Sequence, residues 1–205
     1  MALQRSWNRV WRALNGSPDP ALFDRLVAAY GEPHRHYHTL QHLTECVTLL
    51  ERHLDLADRP GEVEAALWFH DAIYDVKRHD NEERSATWAM EAALAAGIAR
   101  ESASRIHELV MATRHDALPA TRDEQLLVDV DLSILGASTE RFDDYERQVR
   151  AEYAWVPTPL FRSKRRVVLE TLLARVHLYS TDRLRESLEA AARANLQRSI
   201  AQLAD

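Results

Sequence analysis

A chain of 205 residues, 46% of them hydrophobic, can bury a substantial core, and nothing in it demands a second domain. Its formal net charge of -6 argues against a general affinity for the nucleic-acid backbone and leaves room only for a local basic pocket, so no nucleic-acid polymer is expected as partner. The single cysteine, Cys46, excludes an internal disulfide, suits a reducing cytosol and lies in an apolar helical stretch that predicts its burial.

In chain order, only five glycines and seven prolines interrupt segments that carry Ala, Leu, Glu and Arg in helical rhythm. The expectation is all-α: a single-domain helical bundle. Residues 1–14 place Trp7, Val10, Trp11 and Leu14 at helical spacing, which predicts a helix folded against the core rather than a secretory signal. After Pro18-Asp19-Pro20 a second helix is expected over residues 21–30, stopped by Gly31-Glu32-Pro33. The histidine-dense run His34-Arg35-His36-Tyr37-His38 leads into a helix over residues 42–54. Helices are further expected over residues 62–74, from Asp80 to near Gly97, and over residues 100–114. Thr121-Arg122-Asp123-Glu124 fits a capping box, and Gly136 is the expected C-cap of the helix it opens. The last third reads as helices over residues 139–154, 160–179 and from about 182 to near the end. Trp68, Trp88 and Trp155 are assigned to the core. No apolar run approaches the roughly 20 residues that a membrane span needs, so no membrane partner is expected and a cytoplasmic location is.

Chemistry concentrates in Leu67-Trp68-Phe69-His70-Asp71-Ala72-Ile73-Tyr74, where a histidine and an aspartate sit inside an otherwise apolar run. An aspartate there carries a large desolvation cost unless something neutralises it, and a cation is an economical partner. On a helix adjacent side chains diverge by about 100°, so an ion touching both lies at the helix edge and draws its other ligands from elsewhere. Upstream, His42 in Tyr37-His38-Thr39-Leu40-Gln41-His42 precedes His70 by 28 positions; downstream, Asp129 and Asp131 again put carboxylates in an apolar run, Asp131 lying 60 positions past Asp71. A mixed set of imidazoles and carboxylates would suit a divalent Mn, Fe, Co, Ni or Zn ion, whereas Mg favours more oxygen.

The order His, His-Asp, Asp resembles the HD superfamily of metal-dependent phosphohydrolases. Tyr37-His38 through His42, Trp68 through Asp75, Asp80-Asn81-Glu82-Glu83-Arg84-Ser85-Ala86 and Asp129 through Gly136 look like one bacterial branch of it. The resemblance implies His42, His70, Asp71 and Asp131 as the metal ligands. It also implies an HD core over about residues 34–140, with N-terminal helices and a C-terminal helical extension. The implied activity is hydrolysis of a phosphoester of a small phosphorylated compound, by family analogy a nucleotide. Two other classes stay open: a di-iron HD-type oxygenase, which would need further histidines such as His107 or His115, and a non-catalytic metal- or nucleotide-binding module. Oligomeric state is left open. No Gly-rich phosphate loop, Gly-x-Ser-x-Gly elbow, His-Glu-x-x-His or Glu-x-x-His occurs to favour another chemistry.

The supporting candidates each carry a plainer reading. His38, one helical turn before His42 on the same face, replaces it as ligand, meets substrate or merely supports the site. Asp75, one helical turn past Asp71, orients the attacking water or is a loop carboxylate. Glu82 and Glu83 assist that base chemistry or simply favour a helix N-terminus. Arg114 and His115 contact the substrate phosphate or serve the structure, and Asp129 is the runner-up to Asp131. The basic cluster Arg162, Lys164, Arg165 and Arg166 offers donors to phosphate or is a solvated face.

Overall fold

The computed structural model describes residues 2–204; Met1, with which the first expected helix begins, lies outside the described residues. Among the described residues the chain forms ten α-helices and no strand. None of these helices is long and apolar enough to cross a membrane. The chain separates into two compact units, one running through Val130 and one starting at Asp131.

The first unit holds α1 (Ala2–Ala13), α2 (Leu22–Tyr30), α3 (Leu40–Glu51), a 3-10 turn at Leu54–Leu56, α4 (Pro60–Phe69), α5 (Asn81–Ala95), α6 (Arg100–Ala112) and α7 (Arg122–Asp131). The unit boundary falls one residue before the end of α7, so Asp131 is placed by the helix that carries it and is described here. At the centre lies α4, buried along its length from Gly61 to Phe69 and packed against α1, α3, α5 and α6. A helix apolar all round belongs in an interior, yet α4 also carries two glutamates inward. Each is neutralised locally, as a carboxylate removed from water must be. Glu64 accepts from Ser6 Oγ at 2.6 Å and from Arg9 Nε at 2.8 Å, and Glu62 takes both arms of Arg105 at 2.7 and 2.6 Å. Ser6 in turn accepts from Trp68 Nε1 at 2.9 Å, and the rings of Trp7, Trp11, Phe23 and Trp68 interlock edge to face, which fastens α1 to α4 as its aromatic spacing predicts.

Local signals explain several boundaries. Thr121 Oγ1 accepts from Glu124 N at 3.2 Å while Glu124 Oε2 accepts from Thr121 N at 3.0 Å, the reciprocal capping box expected at the start of α7. Gly97, at φ 83, ends α5 with Ile98 N bonded back to Ala93 O at 3.0 Å, a Schellman closure that a side chain would strain. Asp80 does not cap α5 with its side chain: its carboxylate is taken by Arg78 at 2.7 and 2.6 Å.

The second unit comprises a 3-10 turn at Leu132–Gly136, α8 (Thr139–Glu152), α9 (Thr158–Leu173) and α10 (Asp182–Ala204). Gly136 proves to serve close approach rather than a left-handed cap. A Cβ there would lie 2.7 Å from Leu188 Cβ and 2.9 Å from Leu188 O, so α10 can rest on the turn only because glycine stands at this position. Asn195 of α10 holds the same turn, donating to Leu135 O at 2.9 Å and Ala137 O at 3.0 Å. α9 ends at Leu173, six residues short of the expected 179, because Arg193 of α10 donates to the carbonyls of Leu173, Arg175 and Val176 while Glu189, one turn earlier, accepts from Leu178 N and Tyr179 N. Trp155 is 55% exposed and not a core residue, and Trp88 is half-buried; only Trp68 meets the expectation for all three.

Candidate metal centre

The site forms where α4 stops. The apolar run through Tyr74 predicts a helix that carries both His70 and Asp71, but α4 ends at Phe69 and the pair lies in the turn that follows. What stops the helix is a set of side-chain donors that claim carbonyls from Leu67 onward. His70 Nδ1 donates to Leu67 O at 2.7 Å, and Tyr30 Oη donates to Trp68 O at 3.2 Å. Arg35 donates to Asp71 O at 2.6 Å and Ala72 O at 3.1 Å, and His34 Nε2 donates to Tyr74 O at 2.8 Å. From α5, Ser85 Oγ binds Ile73 N at 3.0 Å, and Asn81 Nδ2 donates to Asp75 O at 2.9 Å. Carbonyls that a continuing helix would have paired within itself are thus satisfied from outside.

A carbonyl only accepts, so His70 Nδ1 carries the hydrogen and Nε2 presents its lone pair. That atom lies 3.1 Å from His42 Nε2 and 3.0 Å from Asp71 Oδ2, which is itself 3.6 Å from His42 Nε2. Asp131, the closing residue of α7, brings a carboxylate oxygen to the same place: ligand atoms of His42, His70 and Asp131 all lie within 4.8 Å of one another. Donors about 2.1 Å from an ion and at right angles around it stand roughly 3.0 Å apart, and the two contacts of His70 Nε2, at 3.1 and 3.0 Å, are of that size. The donor set of neutral imidazoles and carboxylate oxygens fits a divalent transition metal. The group His42, His70, Asp131 can therefore hold a metal ion, with Asp71 against both imidazoles.

Both histidines are buried, Asp71 is partly so, and α3 is aimed by Thr39, whose side chain caps Gln41 N. Burial pushes the Asp71 carboxyl up, but when the nearby imidazoles of His70, His38 and His42 are protonated their positive charge, and the Nε2–H that His70 then offers, outweigh it and hold the group below the ordinary carboxylate range. Behind His42, the buried thiol of Cys46 lies 3.6 Å from Nδ1 and 3.7 Å from Val130 O, so the one cysteine joins α3 to the end of α7.

The other predicted residues fare differently. Of the two aspartates two apart on α7, Asp131 joins the cluster while Asp129 is fully buried within its helix. His38 is not one helical turn before His42, because α3 starts at Leu40; it sits in the preceding turn, its ring stacked on Tyr74 at 4.1 Å and 6.1 Å from that of His42. Asp75 is likewise not a turn further along a helix. It lies in the loop, and its Oδ1 accepts from Lys77 N at 2.9 Å. Glu82 and Glu83 occupy the first turn of α5, Glu82 half-buried and Glu83 exposed. Arg114 is drawn to Asp116 at 3.0 Å, and His115 takes a left-handed backbone at φ 58, past the end of α6. In the basic cluster, Arg165 is engaged by Glu146 and by Tyr145 Oη, so it is a structural cation.

Arg35 and Tyr30 are the site residues that sequence reasoning misses. Arg35 is 4% exposed, and besides its bonds to Asp71 and Ala72 it donates to His38 O at 3.2 Å and to Glu32 Oε2 at 3.0 Å, with Tyr30 and Tyr74 beside its guanidinium. Burial pushes the Tyr30 hydroxyl well above its ordinary range, so it stays a neutral donor. The only signal for either was its place in or beside the histidine-dense run, which directs attention to imidazoles instead.

No protein-family model, curated protein or solved structure matches this chain.

Proposed function

We propose that this chain is a metal-dependent phosphohydrolase of the HD type, acting on a small phosphorylated compound. The reading rests on one observation above the rest: His42 Nε2 and His70 Nε2 face each other at 3.1 Å, with the carboxylates of Asp71 and Asp131 beside them. That convergence joins residues far apart in the sequence, in the order that the HD resemblance implies.

A divalent cation bound there supplies Lewis acidity toward a phosphoryl oxygen and lowers the pKa of a bound water. The chain's own part is to arrange. The Leu67 carbonyl fixes the His70 tautomer, and Asp71 and Asp131 add anionic oxygens to the nitrogens. Asp75, of whose two carboxylate oxygens Oδ1 accepts from Lys77 N, and Glu82 or Glu83 in the first turn of α5 are the carboxylates proposed to orient the attacking water. His38, stacked on Tyr74, is assigned the rim where substrate enters. The preference for a nucleotide rests on the family resemblance alone. A cytoplasmic location accords with the lone, buried cysteine.

The test is phosphate release from a panel of nucleoside mono-, di- and triphosphates with Mn, Co, Ni or Mg, comparing wild type with His70→Ala. Metal-dependent release that the variant loses supports the reading. Equal release from both rejects this site, and metal binding without turnover on any substrate favours a non-catalytic binding module.

A further inference from the structure

Resting on that reading of the site, we infer that Arg35 is a positioning residue for the metal centre, its guanidinium fixing the backbone from which His70 and Asp71 present their ligand atoms. One side chain spans both segments that bring the ligands together. It bonds to the carbonyls of Asp71 and Ala72 in the turn after α4, and to the carbonyl of His38 in the turn before α3, the helix that carries His42. The distance between the two ligand-bearing backbones is thus set by the dimensions of a planar, five-donor fork.

Three observations favour this role over ordinary packing. The Arg35 side chain is fully buried, yet its forked end is spent on main-chain carbonyls beside the ligands, with one carboxylate, from Glu32, on Nε. A buried cation costs several kcal/mol in desolvation, and these acceptors are what offsets it. Second, α4 stops at Phe69 although the apolar run continues to Tyr74, and the turn that follows is the segment whose carbonyls Arg35 binds. Third, Tyr30 works on the same turn from the other side: its hydroxyl donates to Trp68 O and accepts from Asp71 N at 3.4 Å. Arg35 and Tyr30 therefore hold Asp71 by its carbonyl and its amide respectively, leaving the carboxylate to face His70 and His42.

A lysine at position 35 keeps the charge but cannot reach three carbonyls and Glu32 in one plane. The ligand atoms should then remain present but move apart. The experiment is titration of the purified chain with Co(II), reading both affinity and the visible absorption band that reports coordination geometry. Arg35→Lys is expected to weaken Co(II) binding about 10- to 100-fold, the range for losing an outer partner of a metal ligand, and to shift the band. Tyr30→Phe, which removes one oxygen and nothing else, is expected to do the same to a smaller extent. Arg193→Lys is the control, since Arg193 clasps three carbonyls in the same manner at the end of α9. It should lower thermal stability and leave the Co(II) affinity and spectrum alone.

If Arg35→Lys and Tyr30→Phe bind with wild-type affinity and spectrum while His70→Ala does not bind, the site stands and the positioning role is overturned. If wild type itself does not bind Co(II), the site reading fails and this inference fails with it. Should Arg35→Lys not fold, as judged by loss of a cooperative melt, Tyr30→Phe decides by the same criterion.

Discussion

His70 does two things with one ring, donating to the Leu67 carbonyl through Nδ1 and facing His42 and Asp71 through Nε2. His70→Ala should therefore lower divalent-metal affinity by more than the roughly 10–100-fold typical of an outer partner, and Asp131→Asn should weaken it in the same direction, both read by isothermal titration with Mn. Thr121 offers a test free of the site: Thr121→Ala removes one half of the capping box and should cost about 1 kcal/mol in urea unfolding. Residue by residue, a carboxylate in an apolar run singles out Asp71 and the pair Asp129 and Asp131, whereas His42 and the choice of Asp131 come only from the family resemblance. It did not reveal Arg35, whose importance comes from carbonyls 36 and 37 positions away that no side-chain pattern encodes.

Among the elements, the boundaries that follow from local chemistry were readable and the rest were not. The box at Thr121 and the glycine at 97 announce themselves in a few residues. The end of α4 does not: its apolar run continues to Tyr74, and side chains of His70, of the 30–35 segment and of α5 stop it at Phe69 by taking up the peptide groups that follow. Because α4 stops at Phe69, Asp75 lies off the helical face that the apolar run predicts, and His70 and Asp71 face the site from a turn rather than from a helix edge. Gly136 reads in the sequence as a helix C-cap, but its value lies in having no Cβ. Gly136→Ala should overpack against Leu188 and destabilise the chain by about 1–3 kcal/mol in chemical denaturation. Between α1 and α4, Ser6→Ala would leave the Trp68 indole N–H without its acceptor and deprive Glu64 of a donor, a loss of about 1–3 kcal/mol measurable the same way.

For the whole molecule, the scarcity of glycine and proline and the helical rhythm of its apolar residues are enough to predict an all-helical chain, and among the described residues the chain is all-helical. Metal binding should register on the entire folded state. A ligand held only by the native form at about 100 times its Kd adds roughly 2.7 kcal/mol, so Mn should raise the melting temperature, EDTA should reverse the rise, and His70→Ala should show neither. Acid should act elsewhere: the Glu51 carboxyl is held below its ordinary range, first by its hydrogen bond from Arg9. Its contribution is therefore full above the ordinary carboxylate range and fades as the pH drops through the depressed value, which a series of thermal melts on wild type and Glu51→Gln would detect as a difference that narrows on acidification. The stretch from Leu67 to Asp75 has one more implication. Connecting segments commonly absorb length changes between related proteins, but here the peptide groups of residues 71–75 are matched one by one to Arg35, Ser85, His34 and Asn81. Adding a single residue after Asp71 would slide the pairings of residues 72–75 out of register together, so this loop should tolerate changes of letter far better than changes of length.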